Sequence, residues 1–315
     1  MSIPLLNRPM TRLLPRLSLA ALLLSFSPFS AFRAELPDAG SDGERVESAR
    51  FIKAIDGLKE TEKALYLYER VERVEERKAS GDPNPTQVKV SRVFPAGTGI
   101  THIPLGPDSA PTNAAAYRTD LENLLKSLTW AAENGKPQRD AYEKVAKKQK
   151  ERSDLIDQTR NAFLFTYLGD EMRGDSKLQK FRMDPNPGYK PTGRGGVIFT
   201  KVKGIVWLDE ASGQMARIEG DVTDDISFGL FFGKIYKGSH FMQERYEFAP
   251  GVWLPSFSQY DFDARKLFSQ ISVHEKMFAS NYRLVGAPAD AIPIVKAELE
   301  KLGGGARAEK KSGDK

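Results

Sequence analysis

The residues best suited to acid–base or metal chemistry are three histidines, His102, His240 and His274. None has a second histidine at the H-x-x-x-H spacing that would put two imidazoles on one helix face, so zinc has no local support. Each reads as an ordinary surface or packed histidine. Asp221, Asp224 and Asp225 form a carboxylate cluster of the kind that calcium uses, but the oxygens that a hard cation needs at set spacings are missing. A solvated turn is the reading favoured there. Asp261 and Asp263 stand two residues apart, on one face of an expected strand, a layout compatible with a glycosidase-like carboxyl pair. Nothing around them supplies a substrate subsite, so they read as exposed strand-end charges. Thr192-Gly-Arg-Gly-Gly196 is glycine-rich but lacks the order of a phosphate loop and the helix that follows one. It reads as a hinge, or as an arginine-bearing loop that meets an anion. There is no G-x-S-x-G elbow, and the absence of cysteine rules out thiol nucleophiles and disulfides. A serine triad would leave no local signature, and nothing argues for one. The expectation is a non-enzymatic protein with no catalytic residue, no metal and no cofactor.

The apolar supply says more. Phe228, Phe231, Phe232, Phe241, Met242, Trp253, Phe257 and Phe268 crowd into one part of the chain. Taken singly, each reads as core. Taken together, they could line a curved sheet that holds an apolar guest such as an acyl chain. Hydrophobic contact is non-directional, so such a site needs no motif. Alternation along the strands nominates Phe163, Phe165, Tyr167, Val206, Leu208, Ile218, Phe228, Phe231, Met242, Tyr246 and Trp253 as its lining.

The elements that would position these residues centre on Lys201 to Pro255. Val202 to Asp209 is β-branched and apolar, and Glu210 to Gly213 is a turn. Gln214 to Val222 alternates, with Ala216 and Ile218 expected on one face. Ile226 to Tyr236, Phe241 to Phe248 and Val252 to Pro255 follow as strands. Short strands with Gly/Pro/Asp punctuation and no intervening helix indicate an antiparallel sheet.

Upstream, Ser41 to Glu44 fits a capping box before a helix over Val46 to Leu58 that carries Ile52 and Ile55. Ala64 to Lys78 and Thr86 to Phe94 read as a hairpin, and Pro95 to Pro111 as a loop. Asn113 to Asn134 and Arg139 to about Gln158 read as a helical pair inserted between two sets of strands, covering or plugging the sheet. Phe163 to Arg173 and Lys177 to Asp184 are strands. Ser256 to Phe262 and Leu267 to Phe278 form a last hairpin around Asp263 to Arg265. Val295 to Leu302 reads as a short helix, and Gly303 to Lys315 as disordered.

The formal net charge of +5 over 315 residues misleads. Arg8, Arg12, Arg16 and Arg33 stand unopposed in residues 1–34, and the tail from Gly303 has a surplus of two cations, so the body between is left at about −1. A near-neutral body gives no electrostatic case for nucleic acid. Residues 1–34 look like a secretory signal peptide: arginines first, then an apolar run from Leu17 to Phe26 too short to span a bilayer comfortably. An exported chain without cysteine is most simply a soluble periplasmic protein, with a retained N-terminal membrane anchor as the minority reading, and a monomer is expected.

This order of elements resembles the periplasmic lipoprotein-carrier superfamily, the LolA/LolB-like outer-membrane lipoprotein-sorting proteins. The resemblance also rests on Gly204-Ile-Val-Trp-Leu-Asp209, Arg217-Ile-Glu-Gly220, Lys237-Gly-Ser239, Gly251-Val-Trp-Leu-Pro255 and Asn281-Tyr-Arg283, and points to an uncharacterised secreted branch. It covers roughly Arg45 to Val285 and implies one α+β domain over 35–285, with a helical insertion at 113–158 and an extension at 286–315. The implied fold is a strongly curved antiparallel sheet, an unclosed barrel whose concave face is covered by helices. The implied activity is binding of lipid or lipoprotein acyl chains in that hollow, with transient membrane contact. The carriers hold their helical lid with an arginine on the sheet, and no residue here is assigned to that role. Relatives with this fold also act as envelope sensors, so the alternative is a scaffold that binds another envelope protein through the hairpin around Gly81 and the loop 95–111.

Overall fold

The structure, a computed structural model, describes residues 45–46, 51–193, 195–227, 233–266 and 269–312, with side chains described except at 45–46, 266 and 304–312. The expected signal peptide, and Phe228, Phe231, Phe232 and Phe268, lie outside the described residues.

Among the described residues, thirteen strands form one sheet. They are β1 (Arg45–Val46), β2 (Tyr68–Glu76), β3 (Gln87–Pro95), β4 (Ile100–Leu105), β5 (Phe163–Arg173), β6 (Ser176–Pro185), β7 (Val202–Asp209), β8 (Met215–Val222), β9 (Ile226–Ser227), β10 (Lys234–Ile235), β11 (His240–Ala249), β12 (Val252–Lys266) and β13 (Ser269–Leu284). The helices are α1 (Ile52–Ala64), α2 (Ala114–Ala132), α3 (Lys136–Ala162) and α4 (Pro288–Ser312), with a 3-10 turn at Gly196–Thr200. The strand order is β1-β5-β6-β7-β8-β11-β12-β13-β2-β3-β4, with the β9–β10 hairpin attached to β12. Pairing is antiparallel throughout, and β1 and β4 are unjoined ends, so the sheet is open.

The sheet is also strongly curved. Five strand-to-strand steps separate β5 from β12, which is roughly 24 Å on a flat sheet. Phe163 and Phe165 of β5 nevertheless line the same hollow as Phe262 of β12. Helix α1 lies over that hollow, with α3 beside it, so the architecture is an α+β half-barrel with helices on its inner face.

Three cores result. The main one joins the inner faces of β5 to β12 to Phe51, Ala54 and Ile55 at α1. A second lies away from the hollow, where α2 and α4 pack together over Phe94 of β3 and Ile103 of β4. A third, on the opposite face of the sheet, gathers Leu178, Ile205, Trp207, Ala216 and Trp253.

Several expectations are corrected. Val46 belongs to a strand, and the first helix starts at Ile52 and runs to Ala64. The loop after Pro95 contains β4. The span 226–236 is two short strands around residues outside the description. Asp263 to Arg265 lies within β12, which continues to Lys266. Helix α2 covers the β3–β4 end of the sheet and does not enter the hollow, its apolar stripe of Tyr117, Leu121, Leu124 and Leu128 packing with α4 over Phe94 and Ile103. Helix α4 starts at Pro288 and is described through Ser312, into the stretch expected to be disordered. Ala216 and Ile218 do not share a face: β8 slips register against β7 between Trp207 and Leu208, and that bulge sends Ala216 to the Trp207 side.

Candidate functional site

An almost wholly apolar recess lies between the sheet and α1. Its floor is Phe163 and Phe165 of β5, Met183 of β6, Val202 and Val206 of β7, and Ile218 and Val222 of β8. Phe241 and Phe262 wall it, and Phe51, Ile55 and Leu58 enter it from the α1 side. The alternation of each strand explains this convergence, since every second side chain points to the helix. Non-atom space in the hollow totals about 810 Å³ including the part open to solvent, but the centres of water-sized spheres reach only about 60 Å³ of it. The free space is therefore narrow and divided, and with α1 in place it leaves little room for a guest. Phe51 is the deepest plug: its ring stacks on Phe165 with centroids 3.6 Å apart and meets Phe181 edge-on at 5.0 Å.

Of the nominated lining residues, Phe163, Phe165, Val206 and Ile218 line this hollow. Leu208 is buried in the surrounding core, and Tyr167 packs against its edge with its hydroxyl on Asp170. Met242, Tyr246 and Trp253 do not face the hollow. On β11 the inward set is Phe241, Gln243 and Arg245, one residue out of step with the expected register. Trp253 packs with Trp207 on the other face of the sheet. Both faces of β11 are buried near Met242, so burial there cannot reveal which side faces inward. Phe228 and Phe231 lie outside the described residues.

A second cavity continues along the underside of α1, and Leu58 lines both. Its wall includes Thr61 and Glu62 of α1, Arg70 of β2, Gln243 and Arg245 of β11, and Tyr282 of β13. Arg245 is 1% exposed. Its Nη2 donates to the Thr61 hydroxyl and, at 3.4 Å, to the carbonyl of Trp253. The Thr61 hydroxyl in turn donates to that carbonyl at 2.6 Å. An arginine of the sheet thus holds α1 by its last turn, a contact with no motif to announce it. Burial lowers the Arg245 pKa to about 10. Burial also raises that of Tyr282, whose hydroxyl donates to the Pro255 carbonyl at 2.8 Å. Ion pairs tie α1 to α3: Lys59 with Asp157 (2.9 Å), Arg160 with Asp56 (2.6 Å) and Arg152 with Glu62 (2.6 Å). All are partly exposed, so each contributes about 0–1 kcal/mol.

The residues that first suggested chemistry are engaged elsewhere. His240 Nδ1 lies 2.6 Å from Asp221, and His274 Nδ1 lies 3.0 Å from Asp261. Neither histidine lines the hollow or the cavity beside it. Asp224 and Asp225 each pair with a different lysine, Lys201 and Lys234. Asp261 and Asp263 flank the His274 ring instead of facing each other across a groove. Among the described residues, no three His, Asp or Glu side chains gather as metal ligands, and no helix is long and apolar enough to cross a membrane. Arg194 of the glycine-rich segment lies outside the described residues. A further polar cluster, missed in the sequence, ties the second core together. Buried Arg92 donates to Glu69 (2.7 Å), to the Tyr117 hydroxyl (2.8 Å) and to Glu298 (2.9 Å), joining β2, β3, α2 and α4.

An open, curved sheet with an apolar interior beneath a docked helix defines the class of architecture. No protein-family model matches the chain, and no curated protein matches its sequence. Among solved structures, the chain is similar to a Vibrio parahaemolyticus domain classed with outer membrane lipoprotein-sorting proteins (12% identity, 74% of this chain and 92% of that chain, TM-score 0.26). It is also similar to a LolA superfamily protein from Nitrosomonas europaea (9% identity, 78% and 97%, TM-score 0.25). A DUF1329 family protein from Desulfovibrio piger is a third (10% identity, 76% and 94%, TM-score 0.22).

Proposed function

We propose that this is a non-catalytic periplasmic binding protein that takes the acyl chain of a lipid or lipoprotein into the hollow between its sheet and α1. The carrying observation is the hollow itself: an almost wholly apolar interior into which Phe51, Ile55 and Leu58 project from the α1 side, the helix being tied also by buried Ala54, by the contact set at Thr61 and by partly exposed ion pairs. Exposing Phe51, Ile55 and Leu58 costs roughly 5–8 kcal/mol at 1.5–3 kcal/mol for each side chain, with Leu58 only partly buried. A buried methylene returns about 0.8 kcal/mol. A guest of roughly ten or more methylenes therefore offsets the exposure of these three side chains, and a short one does not. Helix α1 is then a lid whose Phe51 end a long chain lifts while its last turn stays held at Thr61.

The test is native mass spectrometry of protein purified from membranes, beside delipidated protein. A retained mass of a long-chain lipid that delipidation removes, and that rebinds on addition, supports the reading. Protein that carries no lipid and binds none afterwards contradicts it. A stable envelope-protein partner captured by crosslinking without lipid would favour the scaffold alternative.

A further inference from the structure

The cavity next to the hollow contains a buried arginine that, among the described residues, has no carboxylate in direct contact. Arg245 is almost completely buried, and its Nε and Nη1 meet no acceptor among the described residues. No carboxylate there lies within ion-pair distance of it. Glu62, the acid that acts on it most, is 2.6 Å from Arg152 and paired there. Glu72, on the same wall, is taken by Arg70 Nε at 2.7 Å. Arg70 has a further buried nitrogen, Nη1, without an acceptor. The cavity wall thus carries two arginines and two glutamates, but each glutamate is bonded to another arginine, so Arg245 has no carboxylate of its own and both wall arginines keep unused donors.

Burying an unpaired cation is unfavourable, and a hydrophobic side chain of similar shape would be the more stable choice. Holding α1 does not account for it, because only Nη2 makes that contact and the Thr61 hydroxyl already reaches the Trp253 carbonyl without help. Gln243 and Ser258 add polar side chains to the wall, while Leu65, Pro255 and Met277 keep the rest apolar. Such a space suits the charged end of an otherwise apolar guest.

We propose that this cavity receives the carboxylate of a free fatty acid whose chain runs beneath α1 into the apolar hollow. The inference rests on the acyl-chain reading above and narrows it. Leu58 lines both spaces, so head and chain would lie along one helix face. From Phe51 to Thr61 that face is roughly 15 Å long at 1.5 Å per residue, a fit for a long single chain. An ester- or amide-linked acyl chain brings no charge to its carbonyl end and would leave Arg245 unmatched. A phosphate monoester would bring a second charge with no cation to meet it.

The test compares three ligands of equal chain length on delipidated full-length protein at pH 8: hexadecanoate, hexadecanol and hexadecyl phosphate, read by calorimetry below their aggregation thresholds. Hexadecanoate should bind about tenfold or more tighter than hexadecanol, and tighter than the phosphate. In Arg245→Met the preference for acid over alcohol should fall to within about threefold. In Arg245→Lys, which keeps the charge, a preference should persist. Equal binding of acid and alcohol, or a preference that survives Arg245→Met, overturns the carboxylate site while leaving the acyl-chain reading intact. A phosphate preference also overturns it. Failure of all three ligands to bind overturns the acyl-chain reading itself. If Arg245→Met does not fold, the wild-type ratio of acid to alcohol and the lysine variant decide.

Discussion

Phe51→Ala is expected to weaken the fold and tighten guest binding at once. Phe51 is 1% exposed, stacked on Phe165 and edge-on to Phe181. Truncating a buried phenylalanine costs about 3–5 kcal/mol, of which the aromatic pairing supplies about 0.5–1.5 kcal/mol. In a protein whose core is simply filled, that loss is the whole effect. In a protein whose guest must first expel the ring, the same ring is a built-in competitor worth about 2 kcal/mol of apolar burial. Its removal should then tighten binding of a long-chain ligand by about 30-fold. Urea unfolding followed by tryptophan fluorescence measures the first quantity, since Trp207 and Trp253 are both buried. Calorimetric titration with a long-chain ligand measures the second. Loss of stability with unchanged or weaker binding would refute the role of Phe51 as a displaceable plug.

Other outcomes follow from the same geometry. Binding should show a threshold in chain length, with octanoate failing to bind and hexadecanoate binding in parallel calorimetric titrations; equal affinities would remove the balance between helix and chain. Burial alone would lower the His240 pKa, but the hydrogen bond to Asp221 and the charges of Asp221, Glu219 and Asp261 outweigh it and raise it above the ordinary histidine value. The protonated ring therefore stabilises the fold below about pH 6.5, and that contribution is lost as pH rises through the raised folded-state pKa. Melting temperature should fall from pH 6 to pH 8, and His240→Gln should flatten the profile. Gly204→Ala should cost more than about 2 kcal/mol in urea unfolding, because the added carbon would sit 2.0 Å from the Glu219 carbonyl oxygen and 2.9 Å from Gly220 Cα, both backbone atoms.

The sheet was legible where one face is apolar and a turn pins the register. Val202 to Asp209 and Phe163 to Arg173 stand at the expected bounds, between glycine turns and connectors. It was illegible where both faces are buried: Phe241 and Met242 are equally hidden, and nothing in their types says which one meets the helix. Ala216 was misplaced because a bulge breaks a period of two that sequence alone cannot suspend. The loop after Pro95 hid β4 because Pro104 reads as a breaker, yet a strand with one free side tolerates proline. The start of α1 was misread from an acidic capping pattern, when the helix begins at Ile52, beside the Phe51 that its sheet contacts bury. Arg245 was beyond reach. A charged residue in an alternating strand is ordinarily solvent-facing, and only the position of α1 shows that this one is sealed.

The most direct test of the acyl-chain reading is a crystal structure of the delipidated protein with a bromine-labelled long-chain fatty acid. The account predicts anomalous bromine signal inside the hollow, between Phe165 and Ile218, with α1 displaced from the position it holds over Phe165. Bromine found only on the outer surface, with Phe51 still stacked on Phe165, would contradict it.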